Sequence, residues 1–229
     1  MHRDHLLGRA AVSFDEMELI RQAAFHEAGH AAAIYFRNRY HRLPQISFRI
    51  FLKGFKRSAH WKNHGGLSAN PAFYAKLEGG LLVENHALSV SSPVSSHSAR
   101  AYRQACEADM VNLLAGPLAE AKHVALRDGE YINQHLVNYD ALKNYGGKSD
   151  LEKIEDYLAN FELPPLKRAE TLRELHAASF HFIDHPNHWR AISRLANYMV
   201  DSEREVIACD EAIAVLEQAM AATLGAGHF

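Results

Sequence analysis

His26, Glu27 and His30 stand at the spacing that metal-assisted hydrolysis requires, within Ala24-Phe25-His26-Glu27-Ala28-Gly29-His30-Ala31. Residues four apart on an α-helix lie about 40° apart around its axis, so both imidazoles can reach one metal ion. Glu27 projects beside the pair, placed to take a proton from water rather than to bind the metal. This is the His-Glu-x-x-His pattern of zinc hydrolases, in which zinc acidifies water and the carboxylate removes the proton. The pattern is short and the chain holds 16 histidines, so its setting decides how much it means.

That setting begins with a helix. Ser13-Phe14-Asp15-Glu16 has the capping-box form, and Met17, Ile20, Ala24, Ala28, Ala31, Ile34 and Tyr35 recur at helical spacing. They predict a helix over 14–38 with the motif in its middle. The small residues Ala28, Gly29 and Ala31 to Ala33 would let a second helix approach closely. Ile46, Phe48, Ile50 and Leu52 then alternate with polar residues, as in a half-buried strand interrupted at Phe51. Gly65 to Ser68 offers a partner strand, so a small sheet is expected after the first helix. Six serines between Ser89 and Ser98 make residues 85–98 a mobile loop, read as a surface insertion or a lid over a substrate groove.

A second helical pattern runs from Ala99 to about Ala115. Gly116-Pro117 is expected to interrupt it, with a further turn carrying Glu120. Gly116 and its alanine neighbours are expected to pack against the small face of the first helix, behind the histidines. Residues 128–147 look irregular. Ser149-Asp150-Leu151-Glu152 has the capping-box form and opens another helix. Leu166 to Asp184, a stretch around Trp189 to Met199 and about Asp210 to Leu224 supply three more. The expected fold is mainly α-helical, with a small β-sheet near its front.

At 229 residues and 48% hydrophobic, the chain can bury one large core, and a single domain over 1–229 is expected. A net charge of −2 argues against nucleic acid or an anionic membrane as an electrostatically chosen partner. Cys106 and Cys209 are too few and too far apart for a disulfide framework. With no signal-like or membrane-spanning apolar run, this suits a reducing cytoplasm.

A catalytic zinc takes three protein ligands and keeps one position open. Beyond His26 and His30, the residues leave two candidates. Glu120 lies on a helix expected beside the first, where it could bind metal or hold a histidine tautomer. Asp150 lies in a first helical turn, where backbone amides favour an ionised carboxylate. The physics of the sequence leaves the two nearly tied. The remaining histidine groups, His60 with His64 and His181 with His185 and His188, lack a completing carboxylate or cysteine and read as loop and surface residues.

Three blocks of the chain resemble the peptidase domain of the FtsH-type zinc metalloproteases, in that family's order. Phe25 to Ala31 matches its His-Glu-Ala-Gly-His-Ala block. Met110 to Glu120 is similar to its small-residue helix ending in Ala-Glu, and Gly146 to Leu151 to the segment carrying its third ligand. Trp189 to Ala196 is similar, less specifically, to a helix near the end of that domain. The likeness spans about residues 13–220. It implies that His26, His30 and Asp150 bind zinc, that Glu27 is the general base and that Glu120 supports the site from behind. It further implies a zincin-like fold, an unfolded protein or peptide as substrate, and assembly into homo-oligomers. No nucleotide-binding glycine loop precedes the domain, so ATP-driven unfolding would fall to a separate ATPase partner. The separation of His30 from Asp150 is longer than in the family, and Gly116-Pro117 stands where it usually has two glycines.

The leading expectation is therefore a zinc metallopeptidase that cuts peptide bonds. The same residues would also serve a zinc-binding, non-catalytic peptide-binding or regulatory module, or a hydrolase of non-peptide amides. No oxyanion-stabilising residue can be named from the sequence.

Overall fold

A computed structural model of the chain describes residues 14–53, 74–83 and 96–225. The described residues are mainly helical with one small antiparallel sheet. Helix α1 (Phe14–Tyr40) leads into strands β1 (Phe48–Lys53) and β2 (Tyr74–Gly79), and then the long helix α2 (Ser96–Arg127). A 3₁₀ turn at Tyr139–Asn144 precedes α3 (Lys148–Ala159), α4 (Pro165–Asp184) and α5 (Pro186–Asp201). Strand β3 (Val206–Ala208) and helix α6 (Cys209–Gly225) follow.

Helix α1 ends where Arg42 turns to a left-handed conformation (φ 55°) and the Leu43 N–H reaches back to the Asn38 carbonyl at 2.8 Å. Its alanines at 24, 28, 31, 32 and 33 are fully buried. This small face packs against α2, as the alanine and glycine pattern predicts. At the crossing a Cβ on Gly29 would lie 2.5 Å from the Ala115 carbonyl oxygen and 2.6 Å from the Ala119 Cβ. Only glycine permits that separation. Helix α5 flanks α1 on another side, and Phe25 stacks between His123 of α2 and Trp189 of α5, with centroids 4.2 and 5.3 Å away.

Three expectations change. Helix α2 passes through Gly116-Pro117 without interruption. Pro117 offers no N–H to the Leu113 carbonyl, yet the fully buried Leu114, Leu118 and Ala119 hold the helix together across the gap. Ser149 does not cap α3: the helix starts at Lys148, with Gly147 as its cap residue and no side-chain cap bond. A Cβ at Gly147 would lie 2.8 Å from the Leu142 carbonyl oxygen and 2.9 Å from the Pro117 ring, so no side chain fits there. The sheet also gains β3 from far along the chain, in the order β2-β1-β3. The expected partner strand at Gly65 to Ser68 lies outside the described residues, as do Ser13 and most of the serine-rich stretch. The helix α2 already begins at Ser96.

Strand β1 buries Phe48, Ile50 and Leu52 and leaves Phe51 half-buried, which accounts for the broken alternation. Leu77 of β2 pairs opposite Ile50. The Asp109 carboxylate of α2 accepts from the Leu82 and Val83 amides at 2.8 and 3.0 Å and from the Tyr157 hydroxyl at 3.1 Å. One buried acid thus ties α2 to the chain leaving β2 and to α3. Burial pushes its carboxyl up to about 6, against the pull of those three donors.

Adding a methyl group at Gly29 should improve intrinsic helix propensity by about 1 kcal/mol. The clash with the Ala115 backbone should outweigh it, so Gly29→Ala is expected to lose about 1–3 kcal/mol net. Denaturant unfolding of the two proteins measures this.

Candidate metal centre

Helix α1 sends both imidazoles toward the first turn of α3. His26 Nε2 lies 3.2 Å from Asp150 Oδ2, and His30 Nε2 lies 3.5 Å from Asp150 Oδ1. Bonds of about 2.0–2.1 Å to a tetrahedral zinc separate its ligand atoms by about 3.3–3.4 Å; each imidazole stands about that far from one of the two Asp150 oxygens. All three ligand atoms lie within 4.8 Å of one another, and no other such group occurs among the described residues. The group could hold a metal ion.

Each imidazole is oriented from behind. The His26 Nδ1–H donates to Glu120 Oε2 at 3.0 Å, and the His30 Nδ1–H to the Asn112 main-chain carbonyl at 2.9 Å. Both bonds commit Nδ1 and turn Nε2 toward Asp150, the arrangement that presents a lone pair to a metal. Glu120 and Asp150, inseparable by sequence reasoning, both touch His26 but from opposite ring nitrogens. Only Asp150 faces the side that His30 shares.

Glycines make this fit possible. A Cβ at Gly116 would lie 2.2–2.7 Å from the His30 ring, inside its van der Waals surface. A Cβ at Gly146, where φ is +69°, would lie 2.9 Å from Glu120 Oε2 and 3.0 Å from His26 Nδ1. The Gly146-Gly147 pair before Asp150 was the available sequence signal for a close approach. Nothing in the sequence pointed to the Asn112 carbonyl, because main-chain acceptors carry no residue signature.

The electrostatics fit a cation. Burial alone would lower the His26 pKa, but hydrogen bonds to Asp150 and Glu120 and the charges of Glu27 and Asp150 raise it well above the usual value. Burial likewise opposes protonation of His30, and Asp150 overcomes it. Burial works to raise the Asp150 pKa, yet the two imidazoles hold it well below the ordinary carboxylate range. Burial raises Glu27, against the pull of both histidines and of the Leu77 amide. With neutral imidazoles, three acids (Glu27, Glu120, Asp150) would stand together here, and a divalent cation between the histidines and Asp150 would offset their charge.

Glu27 stands on the open side. Its Oε2 accepts the Leu77 main-chain N–H of β2 at 2.8 Å. A cleft of about 490 Å³ runs from there between α1 and β2, lined by Glu27, His30 and Ile34, by Lys76 to Gly79 and Leu81, and by Asn112, Leu113, Ser149 and Lys153. A second cavity of about 460 Å³, around Tyr35, Asn38, Arg39 and Phe48, contains none of the metal-binding group. His185 and His188 lie near each other, with ring centroids 4.6 Å apart, but form no metal-binding group with a third ligand among the described residues; His60 and His64 lie outside the described residues.

Zinc titration should show one tight site in the parent and none in Asp150→Ala. Glu120→Gln is expected to weaken it by about 10–100-fold through the loosened His26 ring. Gly116→Ala should abolish it by displacing His30. Because the raised histidine pKa values favour imidazolium, protons compete with the metal. Affinity should therefore fall with decreasing pH, by up to about tenfold per unit for each histidine. In the metal-free protein the sign is opposite for those histidines: their contribution to stability is full at low pH and lost as pH rises through their raised pKa values. Zinc titrations and thermal unfolding followed upward from about pH 6.5, the ordinary histidine value, through the raised range separate the two effects.

Comparison of the chain with protein-family models, with curated proteins and with solved structures finds no match.

Proposed function

We propose that this chain is a zinc-dependent metallopeptidase. The observation that carries the reading is the joint placement of Glu27: beside a His-His-Asp metal group, at the mouth of a cleft, and against strand β2. Zinc held by His26, His30 and Asp150 would supply a Lewis acid that polarises the scissile carbonyl and makes water acidic enough to attack it. Glu27 takes the proton of the attacking water and returns it to the leaving amine. The burial that raises its pKa makes it a stronger base than an exposed glutamate.

Strand β2 orients the substrate. Among the described residues no strand pairs with its outer edge, so an extended peptide can add to it and lie along the cleft. Lys76 and Glu78 project from the exposed face of that strand, whereas Ile34, Leu77 and Leu113 give the cleft an apolar floor. Unstructured protein segments are the substrates this shape admits, delivered as such or by a separate ATPase. The resemblance of three blocks to the FtsH-type peptidase domain supports the same assignment of roles. No helix among the described residues is long and apolar enough to cross a membrane.

Hydrolysis of casein by the zinc-loaded protein tests the reading. Glu27→Gln should retain zinc and lose activity by about 10²–10⁴-fold. A parent protein that binds zinc fully but cleaves nothing would instead identify a non-catalytic zinc module.

A further inference from the structure

The Leu77 N–H is already occupied, and by the group that would act as base. The sheet register explains why it points that way. The Leu52 N–H of β1 donates to the Glu205 carbonyl at 2.8 Å, so Ile50 and Leu52 turn their main-chain groups toward β3. Arg49, Phe51 and Lys53 then turn theirs toward β2, where they pair with Glu78, Lys76 and Tyr74. Ala75 and Leu77 are left with their main-chain groups facing outward, along the edge a peptide would use. The Leu77 side chain packs opposite the fully buried Ile50, so the strand cannot rotate its N–H away.

We infer that Glu27 and the substrate main chain compete for one donor, the Leu77 N–H, so that seating an extended peptide on β2 releases the general base. The inference rests on the peptidase reading of the same site. An antiparallel peptide on this edge must place a carbonyl oxygen in front of the Leu77 N–H. A single N–H cannot serve that carbonyl and Glu27 Oε2 at full strength. The strand is fixed, while the glutamate hangs on rotatable torsions, so Glu27 is the group that moves. A hydrogen bond to a carboxylate is stronger than one to a neutral carbonyl. A peptide reaching Leu77 alone therefore does not displace Glu27; one that pairs with several edge residues does. Before substrate arrives, the bond keeps one Glu27 oxygen engaged, and the base becomes fully available only beneath a bound chain. Leu77 acts through Glu27 and is a positioning residue.

Leu77→Pro tests this, because proline deletes the outward N–H, takes no bond from the β1 ladder and is tolerated on an edge strand. Quenched-fluorescent Ala/Leu peptides of increasing length serve as probes with the zinc-loaded protein. In the parent, kcat should rise about tenfold or more from the shortest to the longest peptide. In Leu77→Pro that dependence of kcat on length should vanish, while KM for the long peptides rises. A variant that keeps the parent's kcat ratio overturns the inference. Amide hydrogen exchange at Leu77 gives a reading independent of turnover and of the proline. Glu27→Ala should accelerate exchange about tenfold or more, and the longest peptide should restore protection. Exchange unchanged by Glu27→Ala overturns the inference even if casein is cleaved. Absence of cleavage by the parent with the expected exchange behaviour instead overturns the peptidase reading and leaves the competition for Leu77 standing.

Discussion

The close contact of α1 with α2 is the constraint on which the rest of this structure depends. Gly29 lets the Ala115 backbone approach to a distance that any side chain would block, and Gly116 leaves the space that the His30 ring fills. Helix contact and the placement of the two histidines are therefore one arrangement. Separating the helices by the width of a methyl group would carry the Asn112 carbonyl away from His30 Nδ1 and Glu120 away from His26 Nδ1. Both rings would then lose the bonds that aim Nε2 at Asp150. The site is as rigid as this packing, because each imidazole is buried and bonded on its far nitrogen.

A second dependence runs through α3. Asp150 reaches the histidines because Gly146 and Gly147 let the preceding 3₁₀ turn press against His26, Glu120 and Pro117. Asp109 ties the same helix, through Tyr157, to the residues that follow β2. Three elements thus converge: α1 carries His26, Glu27 and His30, α3 carries Asp150, and β2 lays its edge beside Glu27. Burying five ionisable side chains in one place is costly. Mutual hydrogen bonding relieves part of that cost, and a divalent cation would relieve more.

The helices and the front of the site were legible because their signals are local. Helical periodicity located α1, α4, α5 and α6 closely, and the spacing of His26, Glu27 and His30 showed one shared face. The small residues at 28–33 and 116 correctly indicated two helices in close contact. The misreadings arose where tertiary contacts overrode local chemistry. Pro117 marks a helix end by its missing N–H, but the buried leucines around it carry α2 through. Ser149 has the form of a cap, but crowding at Gly147 starts the helix one residue before it. Strand β2 has only Ala75 and Leu77 on its inner side, and β3 is three residues long, so neither carries much periodicity. The choice between Glu120 and Asp150 depended on which side of one ring each would occupy. That is a property of three packed helices, and no single segment contains it.

X-ray absorption at the zinc edge tests the central claim most directly, that His26, His30 and Asp150 converge on one ion with a position left open. The predicted spectrum has a four-coordinate nitrogen and oxygen shell at about 2.0–2.1 Å with two imidazoles, falling to one imidazole in His30→Ala. A sulfur shell near 2.3 Å, more than two imidazoles, or an unchanged imidazole count in His30→Ala would contradict it.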